Sequence, residues 1–138
     1  MAVLLIAEDD EDIAAVLARV CKRAGLTVLR APDGRAALEM VVAERPDVLL
    51  TDLGMPRMDG WELIRAVRAH PEVGRTPVAI LTGQLAPGDP RVAEAEVCAV
   101  LLKPCPNDQL LAVIQELIER GPHEHAPGCT VQKVHSQV

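Results

Sequence analysis

Five short, largely aliphatic runs recur along the chain, Val3–Ala7, Thr27–Arg30, Val48–Thr51, Pro77–Leu81 and Ala99–Leu102, and a helix-like pattern follows each of them. Runs that are apolar throughout belong to strands buried on both faces, and strands joined through helices run parallel with right-handed crossovers. The predicted fold is therefore α/β, a doubly wound five-stranded parallel sheet with helices on both sides. Spacing and punctuation locate the helices. Ile13, Val16, Leu17 and Val20 form a first stripe that stops at Gly25. Pro32, Asp33 and Gly34 introduce a second, with Ala37, Leu38, Val41 and Val42, which Pro46 closes. Leu63, Ile64 and Val67 mark a third, ended by His70 and Pro71, with His70 at the end of the helix dipole that favours a cation. Asp89 and Pro90 are an N-cap and first-turn pair for a fourth helix reaching about Val97. Asn107 is the expected cap of a fifth, which carries Leu110, Leu111, Ile114, Leu117 and Ile118 and ends at Gly121 and Pro122.

In an open parallel sheet, chemistry collects where the strands end. The first run ends in Glu8, Asp9, Asp10, Glu11 and Asp12, and the third in Asp52, followed by a loop that Gly54, Pro56 and Gly60 punctuate. The fourth ends in Thr82 and Gly83, and the fifth in Lys103. Helix capping accounts for one or two of the consecutive acids, and a turn would account for Asp52 taken alone. Taken together, the tips bring Glu8, Asp9, Asp52, the Thr82 hydroxyl and the Lys103 ammonium to one edge. Crowded carboxylates call for a hard divalent cation with oxygen ligands and water, a description of Mg²⁺. Asp52 could then act as a nucleophile towards phosphorus. The metal and Lys103 would neutralise charge on the transferring group while Thr82 hydrogen-bonds it.

Composition narrows the partners. The 138 residues suit a single domain. Lys plus Arg is 14 against 20 for Asp plus Glu, a net charge of -6 with the basic residues scattered, which argues against direct nucleic-acid binding. With no Phe, no Tyr and one Trp, the core is aliphatic and base-stacking platforms are missing. Cys21, Cys98, Cys105 and Cys129 form no CxxC pair, and neither a leader nor a membrane span is visible, so the expected location is cytoplasmic with reduced thiols. Cys21 and Cys98 read as small core residues. The segment from Gly121 lacks periodicity. It is expected to be a flexible tail over 121–138, following a domain over 1–120; its His123, His125, Cys129 and His135 are too irregularly spaced to favour a metal site.

AEDD after the first run, TDLGMPRMDG around Asp52, LTG after the fourth and LKP after the fifth, in this order and spacing, resemble the receiver domain of two-component response regulators, and the resemblance covers Met1 to about Arg120. It implies the flavodoxin-like (βα)5 receiver fold, with Asp52 as phosphoacceptor from a sensor histidine kinase, a histidine phosphotransfer protein or a small phosphodonor. It further implies Mg²⁺ held by Glu8, Asp9, Asp52 and the Gly54 carbonyl, Thr82 as switch hydroxyl, Lys103 as phosphate contact and a cis Lys103-Pro104 peptide. An expectation follows of a stand-alone signalling module, monomer or weak homodimer, that reaches its output through a downstream protein partner and turns over no external substrate.

The sequence also departs from the family. Val100 stands where receivers carry an aromatic that turns inward with the switch hydroxyl, Glu96 stands where a glycine ends the fourth helix, and the Thr82 to Lys103 interval is one residue short. A short or displaced fourth helix is predicted, with signalling through the Thr82 to Pro90 loop in place of a rotating ring, and with Gly54 and Gln84 governing water access to the phosphoryl group. Two other functions compete: a receiver-like scaffold that binds without phosphorylation, and a metal-dependent phosphatase, for which no second acid beside Asp52 offers itself. Trp61, the one fluorophore, is expected to pack near the site. Leu111 and Val113 on the last helix read as core packing more readily than as a partner surface.

Overall fold

Val3–Ala7 forms β1, where Leu4 and Ile6 point to one face of the sheet and Leu5 and Ala7 to the other, all four fully buried. This is a computed structural model, and it describes residues 2–83, 85, 88–122 and 134–135, the side chains of the last two excepted. The remaining strands are β2 (Thr27–Ala31), β3 (Val48–Thr51), β4 (Val78–Thr82) and β5 (Ala99–Leu102), all parallel, in the order β2-β1-β3-β4-β5. β4 begins at Val78 and includes Thr82, one residue later at each end than the run Pro77–Leu81 suggested. Val134–His135, inside the segment expected to be a tail, forms β6, which pairs in parallel with β5 through Val100 and Leu101. His123, His125 and Cys129 lie outside the described residues.

The helices are α1 (Glu11–Arg23), α2 (Gly34–Glu44), α3 (Gly60–Ala69), α4 (Pro90–Glu94) and α5 (Asn107–Arg120). They divide the core into two layers. Leu5, Leu49, Ile80 and Val100 pack with Val41, Trp61, Leu63, Ile64 and Val92 on the side of α2, α3 and α4. Leu4, Ile6, Leu50 and Leu101 pack with Ala18, Cys21, Leu110, Val113 and Ile114 on the side of α1 and α5. Val113 is thus core, Leu111 is half-buried against the same layer, and Cys21 and Cys98 are buried thiols outside any disulfide.

Three helix expectations need correction. The buried face of α1 is Ala14, Ala18 and Cys21, not the stripe of larger residues, and Val16 is 54% exposed. Small side chains let the helix axis approach the sheet, and of the larger aliphatics Leu17 packs partly buried against the edge of that contact. Asn107 is the first residue of α5, and Pro106 is the cap, with no side-chain bond to the helix. α4 stops at Glu94 and does not reach Val97 as its capping pair suggested; at five residues it is the short helix that the departures from the family predicted. Its end is Glu96 with φ +55°, a left-handed position that glycine fills without strain, and the Glu96 carbonyl accepts a bond from the Arg68 guanidinium.

Candidate functional site

The chain leaves β1 towards β2 on one side and β3 on the other, so the connections reverse between β1 and β3 and open a crevice at the carboxyl ends of those strands. Glu8 and Asp52 are the first residues past β1 and β3. Main-chain bonds fix their positions: the Glu8 amide donates to the Ala31 carbonyl at 3.0 Å, and the Asp52 amide donates to the Ala7 carbonyl at 3.0 Å. One carboxylate oxygen from each of Glu8, Asp9 and Asp52 lies within 4.8 Å of the others, with Glu8 buried, Asp52 half-buried and Asp9 exposed. Acids held this close repel one another, and what offsets the repulsion defines the site.

Lys103 supplies part of the offset. From the end of β5 its Nζ donates to Glu8 Oε1 at 2.9 Å and to Asp52 Oδ2 at 3.3 Å. Burial alone would lower the lysine pKa, but the bond to Glu8 and the charge of Asp52 prevail and raise it. The backbone sets its place, since the Lys103 amide donates to the Thr82 carbonyl at 2.8 Å and the Lys103-Pro104 peptide is cis, as the resemblance implied. Thr82 is buried at the end of β4 beside Leu102. The Asp52 carboxylate is held at its other oxygen as well, where Oδ1 accepts the Leu53 amide at 2.7 Å.

Glu8 shows what the site lacks. Its Oε2 is buried with no hydrogen-bond partner among the described residues. Burial, offset in part by the Lys103 bond and reinforced by Asp52, pushes the carboxyl up to about 7. An unpaired buried carboxylate oxygen next to two further acids is a donor set suited to a hard cation, and one ammonium is too little to satisfy it. The residues therefore fit a divalent ion with oxygen ligands. Gly54 follows two residues beyond Asp52 and is exposed, with nothing within 4 Å of where a Cβ would stand. Gln84 lies outside the described residues.

Sequence reasoning missed what shapes the loop after Asp52. Gly60 opens α3 behind the cap Asp59, and its amide donates to the Leu53 carbonyl at 2.9 Å. A Cβ on Gly60 would overlap the Asp52 carbonyl oxygen and come within 2.8 Å of Leu53 Cα. The next residue, Trp61, is buried, with the Arg91 guanidinium 4.6 Å above its ring. Arg91 is in turn held by both oxygens of Asp89, the cap of α4. The Gly after an Asp cap was a readable signal; the stacking partner, thirty positions away in sequence, was not.

Comparison with known proteins agrees with this geometry. The model of the response regulator receiver domain matches residues 4–115. The chain is 36% identical over 119 residues to the response regulator MprA of Mycobacterium ulcerans, covering 85% of this chain and 50% of that protein. It is 34% identical over 119 residues to the transcriptional regulatory protein PrrA of Mycobacterium tuberculosis, with the same coverage of each. The chain thus spans about half the length of these curated relatives. Among solved structures, the chemotaxis response regulator CheY4 of Vibrio cholerae superposes with a TM-score of 0.79 at 31% identity, over 85% of this chain and 98% of that one. The receiver domain of the Francisella response regulator 1452 gives 0.80 at 27% identity, over 87% and 98%.

Proposed function

Because the chain belongs to the response regulator receiver domain family, we propose that Asp52 is its phosphoacceptor, taking a phosphoryl group from a phosphohistidine on a sensor histidine kinase or histidine phosphotransfer protein. A carboxylate oxygen of Asp52 attacks phosphorus, a P–O bond forms as the P–N bond of the donor breaks, and the imidazole leaves with the electron pair. The Leu53 amide on Oδ1 and Lys103 on Oδ2 hold the plane of the carboxylate for that attack. Lys103, already between two acids, turns to the incoming phosphoryl oxygens, and the Thr82 hydroxyl donates to one of them once they arrive. Glu8, Asp9, Asp52 and the Gly54 carbonyl would hold Mg²⁺, which when bound neutralises charge on both the acids and the phosphoryl group.

Beside Lys103 an apolar groove of about 550 Å³ runs between α1 and the start of α5, lined by Ile13, Val16, Leu17, Cys105 and Leu110. Its lining includes the lysine that touches Asp52, which makes it the natural seat for the helix presenting the phosphohistidine. The net charge of -6 supports a protein partner over nucleic acid. No helix among the described residues is long and apolar enough to cross a membrane. A cytoplasmic location beside the kinase fits this reading.

One observation carries the proposal: the single ammonium of Lys103 is bonded to two carboxylates, at positions 8 and 52, far from it and from each other in sequence, at the sheet's switch point. The test is intact mass after incubation with acetyl phosphate and Mg²⁺. Wild type is expected to gain one phosphoryl adduct and Asp52→Asn none. A wild type that stays unmodified, or a variant that is modified equally, sinks the assignment.

A further inference from the structure

The loop after Asp52 contains a left-handed residue that is not glycine. Arg57 has φ +66°, and the Met58 amide donates back to the Pro56 carbonyl at 2.7 Å, closing a three-residue turn around it. Such a conformation persists only where the surroundings hold it, and the inference runs from the outlier to a role. Two contacts hold it here, both to the corner between β2 and α2. Arg57 Nη1 pairs with Asp33 Oδ2 at 2.9 Å, and the Gly34 amide donates to the Met58 carbonyl at 3.1 Å. A Cβ on Gly34 would overlap that carbonyl, so the approach is as close as backbone allows. Asp33 is buried and divides its oxygens, Oδ1 capping α2 through the Ala36 amide at 2.8 Å and Oδ2 taking Arg57.

The same corner also holds the other half of the acidic site. Ala31, two residues before Asp33, accepts the Glu8 amide. A closed circuit results: Asp52, the loop 53–58, Asp33 and Gly34, Ala31, and back to Glu8. We infer that Arg57 is a positioning residue for the cation site, acting through Asp33 to set the path of the loop 53–59 and so the spacing of the Asp52 and Gly54 oxygens from Glu8. Arg57 touches neither the acids nor the phosphoryl group, and its side chain is largely exposed. This inference rests on the cation-binding part of the proposed function.

The test is calorimetric titration of the full chain with Mg²⁺ alone, for wild type, Arg57→Ala, Arg57→Lys, Asp33→Asn and the double variant Arg57→Ala/Asp33→Asn. Arg57→Ala is expected to weaken Mg²⁺ binding about threefold to fivefold, the scale of an ion pair with one exposed member. Arg57→Lys should restore most of the loss, and the double variant should be no weaker than the poorer single, because the two residues act as one unit. In phosphorylation by acetyl phosphate, the Mg²⁺ concentration for half-maximal rate should rise while the rate at saturating Mg²⁺ holds. Unchanged Mg²⁺ affinity in Arg57→Ala, or losses that simply add in the double variant, overturn the positioning role. Should Asp33→Asn fail to fold, the alanine and lysine variants at position 57 still decide it. A wild type that binds no Mg²⁺ overturns the underlying reading together with this one, a result distinct from a wild type that binds and an Arg57→Ala that binds equally.

Discussion

The loop that follows Asp52 and the segment around α4 are linked through Trp61 and Arg91 but are built by different means. The first is fixed largely through the main chain, with the Arg57–Asp33 pair beside it. Gly60 donates to Leu53, Gly34 donates to Met58, and two glycines stand where a methyl group would meet a carbonyl oxygen. The second is a five-residue helix attached by two arginines. Arg91 lies over Trp61 at its beginning, and Arg68 reaches from α3 to the Ala95 and Glu96 carbonyls at its end. Val100 beneath it is a buried aliphatic with no ring to turn. The acids are thus placed by main-chain bonds before any ligand arrives, whereas the α4 segment is tied down through side chains, those of Arg91, Arg68 and the buried Val92.

The sharpest way to break this contrast is Gly60→Ala. If the Asp52 loop is as rigid as its bonds indicate, the added methyl cannot be absorbed, and the protein should lose about 3 kcal/mol in urea denaturation, at the upper end for overpacking. A loss below the noise of that measurement would mean that the loop yields as readily as α4. The second effect is smaller and depends on pH. The Glu8 carboxyl is pushed up to about 7 from 4.5, so between those values the folded protein binds more protons than the unfolded chain. Its contribution to stability therefore falls as pH rises through that window, on the order of 2 kcal/mol, and is level above it. Thermal melts in metal-free buffer from pH 5 to pH 8 should show the decline, and Mg²⁺ at pH 8 should reverse it by binding the folded state. A flat profile would mean that Lys103 already satisfies Glu8. The smallest effect is expected on the other side: Arg91→Ala should move the melting midpoint by no more than about 2 °C. It should leave the yield of phosphoryl adduct unchanged and alter Trp61 emission. A large fall in phosphorylation would show that the α4 corner belongs to the rigid part.

What could be read in advance follows from the physics of parallel strands. Runs such as Val48 to Leu50 have no polar alternation, so their ends are sharp, and the residues just past them, Glu8, Asp52 and Lys103, stand out. Four separate tips pointing to one chemistry made the candidate site legible as a set. Contacts that depend on three-dimensional packing were not. The stripe rule favours large aliphatics, so it selected Ile13 and Val16 and passed over Ala14, Ala18 and Cys21, whose smallness is what brings α1 down onto the sheet. Asn107 looked like a cap because asparagine commonly is one, yet Pro106 takes that place. Arg57, Arg68 and Arg91 carry no local signal of their roles, since a guanidinium's partner can lie anywhere within reach of a long side chain. Glu96 was legible as a departure; that Arg68 grips its carbonyl was not.

Arg68 donates to the oxygens of Gly74, Thr76, Ala95 and Glu96, all of them main-chain. A carbonyl is offered by every amino acid, so this anchorage is indifferent to which side chains decorate the outer surface of the corner after α4. Residues there can diversify under selection for a new binding partner while the frame beneath them keeps its shape, and lineages that rewire their output need not re-engineer the scaffold to do so.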